Sequence, residues 1–175
     1  PFAMYHVDPD HKEREFLTLD ELTAMTEIKL EDPNMAFARD LFIFGCWTGI
    51  SFIDIKNLTE DNISIVNDAP WIISKRQKTG VPFQIKLMDI PMLIIERYKS
   101  FRKDNHLFNI GNLDSINKRI KKVAAMCGIK KRVSFHVSRH SWAVLALEYG
   151  MPIESVSKIL GHTNITTTQI YAKVT

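Results

Sequence analysis

The sequence predicts an α+β domain that is mainly helical and carries a small three-stranded antiparallel sheet. Three short β-rich runs, "ISIV", "WIISK" and "FQIKL", lie close together between residues 63 and 87, and turn residues separate them. The loop "KTGVP" between the last two is typical of a hairpin. After Asp89 the pattern is helical throughout. With 175 residues, of which 45% are hydrophobic and 25% charged, the chain is long enough for one domain with a core.

The helices on either side of the sheet are marked by their ends. Thr18 and Glu21 in "FLTLDEL" have the spacing of a capping box and predict a helix start. "NMAFARDLFIFGCW" (34–47) predicts an apolar helix that ends near Gly45 and Gly49. Beyond the sheet, Pro91 suits a first helical turn. Glycine and proline then delimit four further predicted helices, at 112–127, 136–149, 153–160 and 166–173.

The charges are unevenly distributed. Residues 1–32 hold nine acidic and three basic side chains, and the rest of the chain holds eleven acidic and twenty basic ones. A positive field of this kind attracts polyanions, above all nucleic acid. The segment 118–132 is the most basic, with seven cations and no acid: Lys118, Arg119, Lys121, Lys122, Lys130, Lys131 and Arg132. For this segment, a solvated helix face is the alternative to nucleic-acid binding.

Other classes of protein are disfavoured by composition. No apolar run approaches the roughly 18 residues of a membrane helix, and no signal peptide is visible. Two cysteines, Cys46 and Cys127, make no disulfide framework, so we expect a cytoplasmic protein. Because the chain starts at Pro1, we expect a fragment of a longer protein.

Three potential cations share one helix face in "SFHVSRHSW". His136, Arg139 and His140 stand at positions i, i+3 and i+4. Histidines four residues apart also occur in zinc sites, but Val137 stands where a zincin has glutamate, and Arg139 would repel a metal cation. A buried polar helix end is the other alternative. The trio suits an anion with several oxygens, because arginine offers a planar fork of donors that matches phosphate.

A second cluster follows in "ILGHTNITTTQIYAKV". His162 lies in a predicted turn, and Tyr171 follows nine residues later on the next helix. A tyrosine hydroxyl, with its pKa of about 10, becomes a nucleophile when neighbouring cations stabilise the phenolate. Taken alone, each of these two residues would be expected to have a structural role.

These motifs together resemble the catalytic domain of the tyrosine recombinases, the phage-integrase and Xer family. The family patterns are H-x-x-R-H, L-G-H followed by T-x-x-Y, a lysine in a K-T-G hairpin, and an L-T-x-x-E-L opening. The stretch "TGISFIDIKNL" and the acidic start are most similar to integrases of mobile elements in Bacteroides-type bacteria. The matching residues are His136, Arg139 and His140, then Leu160, Gly161, His162, Thr168 and Tyr171, with Lys78 in "RQKTGVPF" and Leu17 to Leu22.

The resemblance implies DNA recombination or integration by strand cleavage and rejoining through a 3′-phosphotyrosyl intermediate, with no metal or cofactor. Tyr171 would be the nucleophile, Arg139 and His162 would contact phosphate oxygens, and His136 would donate a hydrogen bond or act as base. Lys78 would be the general acid, with His140 in support. Segment 118–132 would hold the DNA backbone.

The family also implies an assembly. Residues 1–175 would be the catalytic domain, without the core-binding domain that family members carry before it. Double-stranded DNA would be the partner, in the bacterial cytoplasm. The full-length protein would work as a homotetramer on DNA, and residues 1–175 alone would be a monomer.

One position departs from the family pattern. The family has T-G-x-R where this chain has "TGIS", so Ser51 stands in place of a phosphate-binding arginine. We expect Arg39, a charge in an apolar helix, to replace it, with Lys56 and Arg76 as weaker candidates. The alternatives are a DNA-binding module that has lost catalysis, and an enzyme similar to type IB topoisomerases.

Overall fold

The computed structural model describes residues 14–175, over which the chain forms helices around a small antiparallel sheet. The predicted fold class is confirmed. The first thirteen residues, which carry part of the acidic start, lie outside the described residues. In chain order the elements are α1 (Leu19–Glu27), α2 (Pro33–Thr48), α3 (Phe52–Asn57), β1 (Ile63–Val66), β2 (Ala69–Lys75), β3 (Pro82–Lys86), α4 (Asp89–Tyr98), α5 (Leu113–Met126), α6 (Phe135–Glu148), α7 (Ile153–Leu160) and α8 (Thr166–Ala172).

The helix ends follow the predicted capping signals. Thr18 caps α1 with its hydroxyl 3.2 Å from the Glu21 amide, and the Glu21 carboxylate accepts from the Thr18 amide at 3.3 Å, which completes the capping box. Helix α2 ends at Gly49, whose φ of 70° lies in the left-handed region. Helix α3 was not predicted, because six residues are too short for a helical period to show.

Helix α2 is the centre of the core. Its residues 38–46 are all buried, and it packs against α1, α4, α5 and α6. Gly45 allows the close approach of α6, because a Cβ atom there would lie 2.5 Å from the Ser138 hydroxyl oxygen. The first turn of α6, which carries the predicted anion site, is thereby held against the core.

The sheet has the order β1-β2-β3, with both pairs antiparallel. Asn67 and Asp68 form the tight β1–β2 turn with positive φ at both residues, as the type I′ hairpin turn requires. The β2–β3 loop is closed by the Arg76 amide, which donates to the Val81 carbonyl at 2.9 Å. Strand β3 packs against α7, so this loop stands next to the C-terminal part of the fold.

Candidate active site

The first turn of α6 presents the predicted trio on one face. The rings of His136 and His140 lie 4.4 Å apart between centroids, nearly perpendicular to each other. The start of the helix is fixed by the Asn117 side chain, whose oxygen accepts from the Phe135 amide at 2.7 Å. Arg139 extends from the same face towards two other elements.

Arg139 is held by two backbone carbonyls from distant parts of the chain. One guanidinium nitrogen donates to Gly49 O at 3.0 Å, and the other donates to Leu160 O at the end of α7. Gly49 suits this place for two reasons: its φ is positive, and a Cβ atom there would lie 2.6 Å from the Trp142 ring. The C-terminal ends of α2 and α7 therefore fix the orientation of the Arg139 side chain.

Arg76 approaches the same end of α7 from the β2–β3 loop. Its side chain is 5% exposed, pairs with Asp54 at 3.3 Å, and donates to Ile159 O. The guanidinium carbon lies 4.1 Å from the centroid of the Phe83 ring. Gly161 leaves room for it, because a Cβ atom there would lie 3.1 Å from Arg76 Cγ. Two arginines thus meet at the C-terminal carbonyls of α7.

Ser51 is linked to Arg76 through a shared carboxylate. The Ser51 hydroxyl donates to Asp54 Oδ2 at 2.7 Å, the same oxygen that pairs with Arg76. The other Asp54 oxygen accepts from the Gln77 amide at 2.9 Å. Position 51, where the family pattern has an arginine, and Arg76 of the hairpin therefore contact the same carboxylate, that of Asp54.

The prediction that Arg39 replaces the missing arginine is wrong. Arg39 is buried, but its side chain pairs with the adjacent Asp40 at 2.7 Å and donates to the carbonyls of Met25, Thr26 and Ile28. Its charge is satisfied at the C-terminal end of α1, because those carbonyls lack helical partners. Lys56 is also directed elsewhere, since its ammonium donates to Gly111 O at 3.2 Å.

Tyr171 and His162 join the trio from the C-terminal side. Tyr171 is 4% exposed, and its ring centroid lies 5.5 Å from that of His140. His162 follows Gly161, and its Nδ1 lies 2.7 Å from the Thr168 hydroxyl. Helix α8 packs against both α6 and α7. The two clusters predicted separately from the sequence are thereby brought together.

The segment before α1 adds a residue that sequence reasoning missed. Arg14 donates to the Tyr171 hydroxyl at 3.4 Å. Its neighbour Glu15 accepts through its backbone carbonyl from His140 Nδ1 at 3.2 Å. Arg14 lies in a segment with an excess of acidic residues, and 157 positions separate it from Tyr171, so no local pattern indicates this contact.

Burial and neighbouring cations set the protonation of the site. Burial lowers the pKa of Arg139 to about 10, with Arg76 contributing, and the group stays charged at neutral pH. Burial also lowers the pKa of His140 and of His162 to about 4, so both are neutral. The pKa of Tyr171 is raised by burial, and Arg14 and Arg139 oppose that increase.

His136 is more exposed than these groups, yet partial burial of its ring still lowers its pKa, as do the charges of Arg139 and Arg14. A cleft of about 270 Å³ opens beside it between α3, α5 and α6. Within residues 14–175, no group of three or more His, Cys, Asp and Glu side chains is arranged to hold a metal ion. None of the helices in that range combines the length and apolar character needed to cross a bilayer.

The remaining predicted residues are on the β2–β3 loop, on α5 and in the segment that follows α5. Lys78 is exposed in the β2–β3 loop, two positions from Arg76. On α5 and just beyond it, Lys118, Lys121, Lys122, Lys130 and Arg132 are exposed, and Arg119 is half-buried. Lys131 corrects the prediction for this segment: its ammonium pairs with Glu21 at 2.6 Å and donates to Phe16 O at 2.9 Å, so its donors serve the fold.

Comparison with known proteins supports one family. Residues 15–175 match the family described as "Phage integrase family". Tyrosine recombinase XerA of Pyrococcus horikoshii is 31% identical over 77% of this chain and 49% of the relative. Tyrosine recombinase XerC of Yersinia pestis is 25% identical over 89% of this chain and 54% of the relative. The chain therefore spans about half the length of these relatives.

Solved structures agree on the fold. The XerH recombinase bound to its difH substrate, in a post-cleavage complex, matches with a TM-score of 0.78 at 18% identity over 93% of this chain and 50% of that one. The catalytic domain of bacteriophage HP1 integrase matches with a TM-score of 0.63 at 21% identity, over 92% of this chain and 88% of that one.

The neutral state of His140 predicts a pH-dependent stability. Its pKa in the folded protein, about 4, is below the 6.5 of a free histidine, so the unfolded chain binds more protons as the pH falls. Stability should therefore fall from about pH 6.5 towards about pH 4, by up to about 1.4 kcal/mol per pH unit for this proton. Urea unfolding at several pH values measures it.

His140→Asn is the informative variant, because its amide nitrogen can replace the Nδ1 donor to Glu15 O without titrating. The variant should lose stability less steeply with acid than the wild type. Equal slopes for the two proteins would show that His140 is not the source of the effect.

Proposed function

Because the chain belongs to the phage integrase family, we propose that it is the catalytic domain of a site-specific recombinase that integrates or rearranges double-stranded DNA. The observation that carries the proposal is the position of Tyr171. It is packed against His140, contacts Arg14, and shares its surroundings with Arg139. A buried tyrosine among cations is suited to attack on a phosphodiester.

The proposed reaction exchanges one phosphate ester for another. The Tyr171 oxygen bonds to phosphorus, the bond from phosphorus to the 5′ oxygen breaks, and the strand is left with a 3′-phosphotyrosyl end and a free 5′-hydroxyl. The tyrosine proton passes to a base, for which the exposed neutral His136 is our candidate. Lys78, on the hairpin loop, gives a proton to the leaving oxygen. Attack by a 5′-hydroxyl from another strand reverses the step, so no external energy source enters.

The charge that develops on the phosphate oxygens needs fixed donors. Arg139 and His162 are proposed for this role, and Arg76 is proposed as the second arginine in place of the one absent at Ser51. Arg76 is fixed by Asp54, Ile159 O and the Phe83 ring, so its position costs no reordering during the reaction. Its Nε atom is buried and has no hydrogen-bond partner within the described range, which leaves one donor uncommitted.

DNA binding is proposed for the exposed basic residues of α5 and the loop after it. Lys118, Lys121 and Lys122 stand within little more than one helical turn and face solvent. We also propose that the protein acts with a separate core-binding domain and as a homotetramer on two duplexes, as the family resemblance implies.

The same experiments distinguish this function from two others. A DNA-binding module without catalysis would bind its site without forming a covalent adduct. An enzyme similar to type IB topoisomerases would form the adduct but relax supercoils alone, without joining two duplexes.

Tyr171→Phe tests the nucleophile. The variant keeps the ring against His140 but lacks the hydroxyl, so the covalent adduct with a nicked suicide DNA substrate should disappear while binding stays within a few-fold. Denaturing gel electrophoresis measures the adduct. Adducts of undiminished yield on the Phe variant would exclude Tyr171 from this role.

Variants of Arg76 and Arg39 test which of the two arginines replaces the one absent at position 51. Arg76→Lys should lower single-turnover cleavage on the order of 10²–10³, because a preorganised donor is removed. Adding Ser51→Arg should restore part of that rate. Arg39→Gln breaks a buried ion pair and should reduce stability by roughly 3–5 kcal/mol, yet leave the rate of the folded fraction near wild type.

These variants are compared at a temperature where unfolding curves show all of them folded. The role proposed for Arg76 is wrong if Arg76→Lys cleaves like the wild type, and it is equally wrong if only Arg39→Gln loses cleavage.

The basic surface is tested by salt. Changing Lys118, Lys121 and Lys122 to Ala should lower the slope of log K against log salt by about 0.9 for each DNA phosphate that the protein no longer neutralises. Lys131→Ala is the control, since that ammonium is paired with Glu21. It should change stability and leave the slope in place. An unchanged slope in the triple variant would make this surface a solvated helix face.

A further inference from the structure

The chain just before α1 is bound along α6 in a fixed register. The Leu17 amide donates to the Ser141 hydroxyl at 2.8 Å, and the Leu17 side chain is fully buried. The Phe16 carbonyl accepts from Lys131 at 2.9 Å. These contacts fix the positions of Glu15 and Arg14. They place Arg14, just before α1, next to Tyr171 near the end of the chain.

Glu15 fixes the tautomer of the histidine beside the tyrosine. A carbonyl oxygen only accepts, so the hydrogen bond at 3.2 Å requires the proton on His140 Nδ1 and leaves Nε2 with a lone pair. Nε2 is buried and unpartnered within the described residues. His140 therefore provides the tyrosine with a neutral neighbour, and the positive charge next to the hydroxyl must come from elsewhere.

We propose that Arg14 is a further catalytic residue, which contacts the Tyr171 hydroxyl oxygen directly and stabilises the negative charge that this oxygen acquires as its proton leaves. The inference rests on the proposed function of Tyr171 as nucleophile. Its proposed role is electrostatic, and the tyrosine proton passes to another group. It differs from Arg139, two of whose donors are directed to Gly49 O and Leu160 O and whose proposed role is at the phosphate oxygens.

The need for such a cation follows from burial. Tyr171 is 4% exposed, and burial opposes ionisation of its hydroxyl. The charged groups that act on this hydroxyl are Arg14 from the entry segment and Arg139 from α6, with the neutral His140 packed against the ring. Arg14 is within hydrogen-bond distance of the oxygen itself, at 3.4 Å. Loss of Arg14 should therefore make the phenol harder to ionise.

The first test needs no DNA. The full chain is labelled with ¹³Cζ-tyrosine, the Tyr171 signal is identified by its loss in Tyr171→Phe, and the shift is followed from about pH 7 to about pH 11, around the ordinary pKa of tyrosine. Arg14→Gln should move the Tyr171 transition to higher pH, and Arg14→Lys should restore part of the difference. Lys29→Gln, which removes a cation just beyond the far end of α1, is the control and should leave it in place.

The second test measures single-turnover adduct formation on the nicked suicide DNA. Arg14→Gln should slow it about tenfold near neutral pH, less than the 10²–10³ typical of a fully preorganised donor, because Arg14 is exposed to solvent. The deficit should shrink as the pH rises and the phenol ionises unaided.

Two outcomes would overturn the proposal. They are an unchanged Tyr171 transition, even where the rate falls, and a faster rate, which would make Arg14 an inhibitory contact. If the wild type forms no adduct, the proposed function fails instead, and the titration still decides whether Arg14 acts on the hydroxyl.

Discussion

The site depends on two arginines that meet at the C-terminal end of α7. Arg76 donates to Ile159 O, and Arg139 donates to Leu160 O. The last carbonyls of a helix lack helical partners and carry partial negative charge, so they can hold cations that burial would otherwise disfavour. Gly161, with φ of 70°, ends the helix there without a side chain that would displace Arg76. The positions of both arginines are therefore set by the C-terminal end of α7.

The charge of this arrangement is incompletely balanced. Asp54 pairs with Arg76, while Arg139 forms no salt bridge within residues 14–175 and donates to the carbonyls of Gly49 and Leu160. The neighbouring His140 and His162 are neutral, because burial and the charges of the arginines lower the pKa of each to about 4. A phosphate group placed among them would supply the missing negative charge and raise those pKa values again. The protein alone is thus an electrostatic complement to an anion.

Local patterns explain what the sequence could predict. The shared face of His136, Arg139 and His140, the capping box at Thr18 and the hairpin with Lys78 each depend on residues close in the chain. Arg39 shows the limit: a charge in an apolar helix does need a partner, but the partners were Asp40 and the end of α1. Contacts across the chain decided the rest, such as Arg76 with Ile159, 83 positions apart, and Arg14 with Tyr171.

Serine at position 51 is compatible with Arg76 because both use one oxygen of Asp54. The Ser51 hydroxyl donates to Oδ2 at 2.7 Å, and Arg76 pairs with the same atom at 3.3 Å. An arginine at position 51 would bring a second guanidinium to a carboxylate that already accepts hydrogen bonds from Arg76 and the Gln77 amide. The serine is therefore consistent with an arginine supplied by the hairpin. Because Arg76 and Lys78 lie on one loop, a movement of the hairpin would displace the arginine proposed to bind phosphate and the proposed acid together.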